Sequence, residues 1–152
     1  SRLFIEVRER RGLCYYISTG RELYSDVGNI VTQAGVTTNL EKIKEGIKVI
    51  IAEHQKMSNG DINNDEFVRA KELIKGRLLL SLEDSSQVAS FYGTKMLLER
   101  EIKSVEDILS QIEKVTKEEI TQVASDVFQP QRLNITLIGP VKQEELTVKD
   151  IV

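Results

Sequence analysis

The first sixteen residues, SRLFIEVRERRGLCYY, hold two hydrogen-bond donors suited to work together: the guanidinium of Arg8 and the phenol of Tyr15. Arginine presents a rigid, permanently charged fork of N–H donors, and tyrosine presents one O–H donor. A chain reversal between them would let both converge on a single polar acceptor. Gly12 lies between them, directly after the charged run Arg8 to Arg11. A glycine following cations in a last helical turn is a common helix stop. Arg10 and Arg11 are read as solvated cations that an acidic ligand could also touch.

Those donors need elements to carry them. Leu3, Phe4 and Val7 recur as one face of a helix, and Leu13 to Ser18 is short, aromatic and β-prone. Arg8 then sits near a helix end and Tyr15 in a strand. Tyr16 alternates with Tyr15, so it is expected on the opposite face, in core or edge packing. Thr19 to Glu22 reads as a turn, and Asp26 to Val36 as a second strand pairing with the first across a Thr19 to Ser25 loop. Thr38 with Glu41 predicts a capped helix from Leu40 to Met57. Asn63 with Glu66 predicts another, carrying Phe67, Ala70, Ile74 and Leu78 towards Leu82. Glu83 to Gln87 predicts a break before a helix through Phe91 and Leu97. Ser104 caps a short helix, and Thr116 with Glu119 caps one that Pro130 stops. Leu133 to Ile138 alternates apolar and polar residues and reads as a final strand; Val141 to Val152 shows no clear pattern. The order predicts an α+β fold, an antiparallel sheet with helices packed on one face in two layers.

Other chemistry finds little support. The 152 residues contain one His and one Cys, whereas a catalytic zinc ordinarily takes three protein ligands. Glu53 and His54 are adjacent in a helix and do not face one another, so His54 is read as a boundary residue. Cys14 reads as a small buried hydrophobe. Asp61, Asn63, Asp65 and Glu72 partly mimic a calcium loop, but Glu66 stands where the sharp turn needs Gly. Gly12, Gly20, Gly28 and Gly35 have no phosphate-binding spacing. Ser85, Ser86 and Ser90 have no base nearby in sequence. No metal-binding and no catalytic residue is assigned in this chain.

Composition bounds the rest. The chain is 40% hydrophobic and 30% charged, with a net charge of −3. That is one ordinary globular domain's worth of sequence. The charge argues against a nucleic-acid surface, and no apolar run approaches a membrane span. One cysteine permits no internal disulfide and fixes no compartment.

Ser1-Arg2-Leu3-Phe4, Val7-Arg8-Glu9, Gly12-Leu13 and Tyr15 together resemble a motif in the second, zinc-free half of the insulinase, pitrilysin and mitochondrial processing peptidase family. Gly60 to Lys71, GDINNDEFVRAK, is similar to that family's next helix start. A fainter echo runs through Val115-Thr116, Val123-Ala124, Phe128 and Ile138-Gly139. The likeness extends from Ser1 to about Pro140, with 141–152 as a tail. It implies an insulinase-like domain, N-terminally incomplete because Ser1 falls inside the motif, whose sheet lacks strands and needs a partner or self-association to cover its edge. It implies a substrate-binding role for Arg8 and Tyr15, hydrogen-bonding the backbone carbonyl of a peptide at the zinc site of the other half. Zinc is then expected in that missing N-terminal half or in a partner subunit, in a homo- or hetero-oligomer, and this chain alone should be inactive. The alternative within the same family is a non-catalytic structural or substrate-recognition subunit. A helical adaptor unrelated to the family is a further alternative.

Overall fold

The computed structural model describes residues 1–98, 100 and 102–147. They form two compact units: Ser1–Asn59 with the stretch from Thr121 onward, and Gly60–Ile120.

The first unit opens on a helical segment, Phe4–Glu9, with wide turns. The amide of Arg10 donates to the carbonyl of Ile5, 2.9 Å away, one residue further back than in an α-helix. The segment ends as predicted at Gly12, whose φ of +60° suits a residue without Cβ. There the Gly12 and Leu13 amides donate to the carbonyls of Arg8 and Val7. Strands β1 (Cys14–Leu23) and β2 (Gly28–Val36) follow as an antiparallel hairpin. The predicted turn at Thr19 to Glu22 is instead the far half of β1. Across the ladder Thr19 meets Thr32 (Oγ1 to Oγ1, 2.9 Å), and the Asn29 amide donates to Glu22 (3.1 Å). These cross-strand pairs hold the hairpin together and move the turn to Tyr24–Val27, where the Tyr24 amide donates to the Val27 carbonyl.

Helix α1 (Leu40–Ser58) is capped by Asn39, not Thr38: the Asn39 side chain accepts from the Lys42 amide at 3.1 Å. The Thr37 hydroxyl in turn accepts from the Asn39 amide, so the cap is built one residue later than the Thr/Glu pattern suggests. The core joins the opening segment, the hairpin and α1. Val7, Leu13, Cys14 and Ile17 are buried, with Leu3, Phe4, Ala34, Val36, Val49 and Ile50 against them. Val7 is fully buried. Val7→Ala should therefore cost about 1–3 kcal/mol, from lost apolar burial plus the cavity left behind. Urea unfolding should show a lower midpoint at unchanged slope; a midpoint that stays put would mean the opening segment is not part of the cooperative core.

In the second unit, helices α2 (Asn64–Ser81), α3 (Ser85–Leu98) and α4 (Val105–Lys114) appear where predicted. Asn63 caps α2, its side chain accepting from the Asp65 amide at 2.8 Å. Asp84 accepts from the Ser86 and Gln87 amides and restarts the chain as α3. Ser104 and Asp107 form a capping box on α4. Lys71 and Lys75 of α2 reach Glu113 of α4, one at its carbonyl and one at its carboxylate. No described residue of α2, α3 or α4 is buried.

Thr116 and Glu119 cap α5 (Lys117–Val127) reciprocally, and a tight turn at Pro130–Arg132 follows it. Leu133 to Ile138 is not a strand. Leu133 is extended (φ −74°, ψ 125°), but among the described residues no ladder forms along this stretch. Alternation is not enough without an adjacent backbone edge, and a cavity of ≈ 950 Å³ lies between β2 and this segment, lined by Tyr16, Thr32, Gly35, His54, Phe128 and Leu137 among others. Ile138 is left 96% exposed. Of the segment 141–152, residues 141–147 hold one short turn, Gln143–Glu145, and 148–152 lie outside the described residues. The architecture is α+β, with a two-stranded antiparallel sheet and several helices.

Candidate functional site

Four arginines line the opening segment, and the structure treats them differently. Glu6 takes two: its carboxylate accepts from Arg10 Nη1 at 2.6 Å and from Arg11 Nη1 at 2.8 Å. Arg11 also donates to the Glu6 carbonyl, at 2.6 Å. The wide turn makes this double grip possible, because it brings a residue five positions on into reach. Pairing with Arg11 and Arg10 holds the Glu6 carboxyl below the usual carboxylate range. Arg10 and Arg11 are thus not the simply solvated cations that their spacing suggests. Arg2 lies 3.9 Å from Glu53 of α1.

Arg8 differs from these three. Its guanidinium lies 4.8 Å from the centroid of the Phe4 ring, a cation–π contact. Among the described residues it makes no ion pair, and its side chain is exposed.

Tyr15 is presented by a defect in the ladder. Cys14 pairs with Val36 and Tyr16 pairs with Gly35, so Tyr15 has no partner opposite and the register shifts there. One extra residue on one strand is a β-bulge, which bends the strand and re-aims a side chain. Tyr15 is 77% exposed, and the shift in phase leaves Tyr16 exposed too while Cys14 and Ile17 on either side of the pair remain buried. Arg8 and Tyr15 make no hydrogen bond to one another, and both donors face solvent on adjoining elements. Sequence alternation alone does not reveal the bulge.

Tyr16 departs from the expected core packing. It is 59% exposed, with its ring laid across Gly35 of β2. Cys14 is buried, and burial pushes its thiol pKa up against the opposing influence of the nearby Arg8 charge. A thiol so held is a poor nucleophile.

His54 stacks on Phe128 (centroids 4.4 Å apart, planes at 34°), with Nε2 3.4 Å from Thr32 Oγ1. Burial lowers its pKa below 6.5. The folded state therefore favours the neutral ring. That contribution to stability is complete above about pH 6.5 and is lost as pH falls through the lower folded-state value. The thermal midpoint should drop between pH 7 and pH 5, and His54→Gln should flatten that slope; an equal slope in the variant would exclude His54 as its source. Among the described residues, no three His, Cys, Asp or Glu side chains stand together as a metal site. The donor set does not fit a catalytic zinc, and no step through a metal is assigned to this chain.

A family model described as the peptidase M16 inactive domain matches residues 1–74, spanning the opening segment, the hairpin, α1 and the first half of α2. An uncharacterised zinc protease of Streptomyces coelicolor is 32% identical over 145 residues, 95% of this chain. The chain belongs to the insulinase-like M16 peptidase family. Other M16 relatives include a probable inactive metalloprotease of Bacillus subtilis, 28% identical over 84% of this chain, and the beta subunit of the mitochondrial processing peptidase of Saccharomyces cerevisiae, 26% identical over 76%. Among solved structures, a conserved protein from Enterococcus faecalis superposes with a TM-score of 0.71 at 25% identity, covering 82% of this chain and 28% of that one. This M16 chain spans about a third or less of the length of these relatives, at 31%, 29% and 25%. Arg8 and Tyr15 both fall within the stretch matched by the family model.

Proposed function

We propose that this chain is the substrate-positioning, zinc-free part of an M16 metalloendopeptidase, with Arg8 and Tyr15 as donors to the backbone carbonyl of a bound unfolded peptide. The observation that carries this reading is that those two donors stand exposed while the other arginines of the segment are paired. Glu6 and Glu53 occupy the other arginines of the opening segment, Arg8 is left without an acid, and a bulge lifts Tyr15 out of the ladder.

The chemistry suits the residues. A peptide carbonyl accepts hydrogen bonds, and its oxygen gains negative charge as a nucleophile attacks. Donors fixed in place beforehand, one of them a full positive charge, stabilise that developing charge without reorganising. This chain's share is to bind, orient and polarise the carbonyl. The attacking water and any zinc that activates it belong to a zinc-bearing half or partner subunit, so this chain by itself is inactive.

The test is a peptidase assay on a quenched, unstructured peptide, with this chain alone and combined with a zinc-bearing M16 half. Activity confined to the combination supports the reading. A second reading is a non-catalytic recognition or structural subunit, favoured by the likeness to a relative named as a probable inactive metalloprotease. Peptide binding without hydrolysis in every combination would select it.

A further inference from the structure

Glu53 is the one buried charged residue among those described, 4% exposed in the C-terminal half of α1. A carboxylate taken this far out of water loses much of its solvation. Lys56 compensates part of that loss, with its ammonium 2.6 Å from Glu53 Oε1. Lys56 is on the same helix, three residues on, so its pairing with Glu53 stays within one element. Arg2 is the partner that crosses between elements: its Nε lies 3.9 Å from Glu53 Oε2, and its side chain is only 18% exposed.

The other ties between the opening segment and the core include apolar contacts and a weaker attraction between Glu6 and Lys56 of α1. Val7 is fully buried, and Leu3 and Phe4 lie against the same cluster. Apolar burial is strong but non-directional. It holds the segment down while fixing its rotation about its own axis only loosely. An ion pair at one end adds the missing direction, which is the best-attested use of a buried charge. Arg2 through Glu9 form one continuous helical stretch, so the rotation set at Arg2 is also the rotation that aims Arg8, six residues later.

We infer that Arg2 and Glu53 form a positioning pair that orients the Arg8 guanidinium towards the peptide carbonyl. Neither residue touches substrate; each acts through the helical segment. The inference rests on the proposed role of Arg8 and adds two residues to it.

A double-mutant cycle decides the matter, using this chain assembled with its zinc-bearing half at a temperature where every variant is folded. Glu53→Gln should lower kcat/KM about ten- to a hundred-fold, the scale of a small misplacement of a reacting group. In the Arg8→Ala background the same change should have almost no further effect, because the group it aims is gone. Arg2→Gln, which changes a partly exposed site and leaves Glu53 with Lys56, should behave alike if Glu53→Gln proves unstable. The exchange Arg2→Glu with Glu53→Arg should recover part of the loss. Equal losses in both backgrounds would make the pair merely structural and overturn the inference, as would no loss at all. If instead Arg8→Ala alone leaves turnover unchanged, the substrate-positioning reading itself fails, a result separable from failure of the pair.

Discussion

Arg8→Ala should lower the kcat of the assembled peptidase about 100- to 1000-fold, or about 3–4 kcal/mol of barrier, with little change in KM. The size follows from where the charge acts. Arg8 lacks an acidic partner within the described chain, so its field is not already spent on a local carboxylate. A donor that strengthens only as the carbonyl oxygen becomes negative contributes to turnover rather than to ground-state binding. Tyr15→Phe removes a single neutral donor and should cost less, about ten- to a hundred-fold, while leaving the bulge intact. Arg8→Lys should not restore wild-type turnover, because an ammonium cannot reproduce the planar fork. Turnover that ignores Arg8→Ala and Tyr15→Phe alike, or losses confined to KM, would count against carbonyl polarisation.

The second large effect concerns the hairpin that presents Tyr15. A Cβ added at Gly35 would overlap Cε1 of the Tyr16 ring and stand 2.7 Å from its Cδ1. Atoms cannot approach that closely, so Gly35→Ala must expel the ring or shift the ladder. Overpacking of this kind typically costs about 1–3 kcal/mol, a substantial part of the ~5–15 kcal/mol that holds a domain folded. Tyr16 is the residue next to the bulge, so the same change should also disturb Tyr15 and lower turnover. The diagnostic is rescue: in a Tyr16→Ala background, Gly35→Ala should cost less than half as much, because the obstructing ring is absent. Equal costs in both backgrounds, read from urea midpoints, would show that the clash is relieved elsewhere.

These predictions draw on features with different degrees of legibility. The stop at Gly12, the caps at Asn63 and Ser104, the reciprocal Thr116–Glu119 box and the break before α3 all follow from side chains acting on backbone within about four residues. The sequence carries such signals directly, and the motif from Ser1 to Tyr15 pointed to the M16 family. The Thr38–Glu41 pattern places the cap of α1 one residue early, because Thr37 supports Asn39 locally. Gly20 and its polar neighbours resemble a turn in isolation, whereas cross-strand partners thirteen or fewer positions away hold them in β1.

Local signals along the chain set the order of most elements, the family and the two candidate donors, Arg8 and Tyr15. Tertiary structure decided how those donors are presented. Whether Tyr15 is a ladder residue or a bulge depends on register against β2, which local propensity does not specify. Whether Arg8 or a neighbour keeps its charge available depends on a wide helical turn that lets Glu6 hold two arginines at once. Glu53 is buried, and Leu133 to Ile138 goes unpaired, because of what stands beside each in space. Caps and turns are short-range and additive, while register, burial and charge pairing are settled only when distant segments meet.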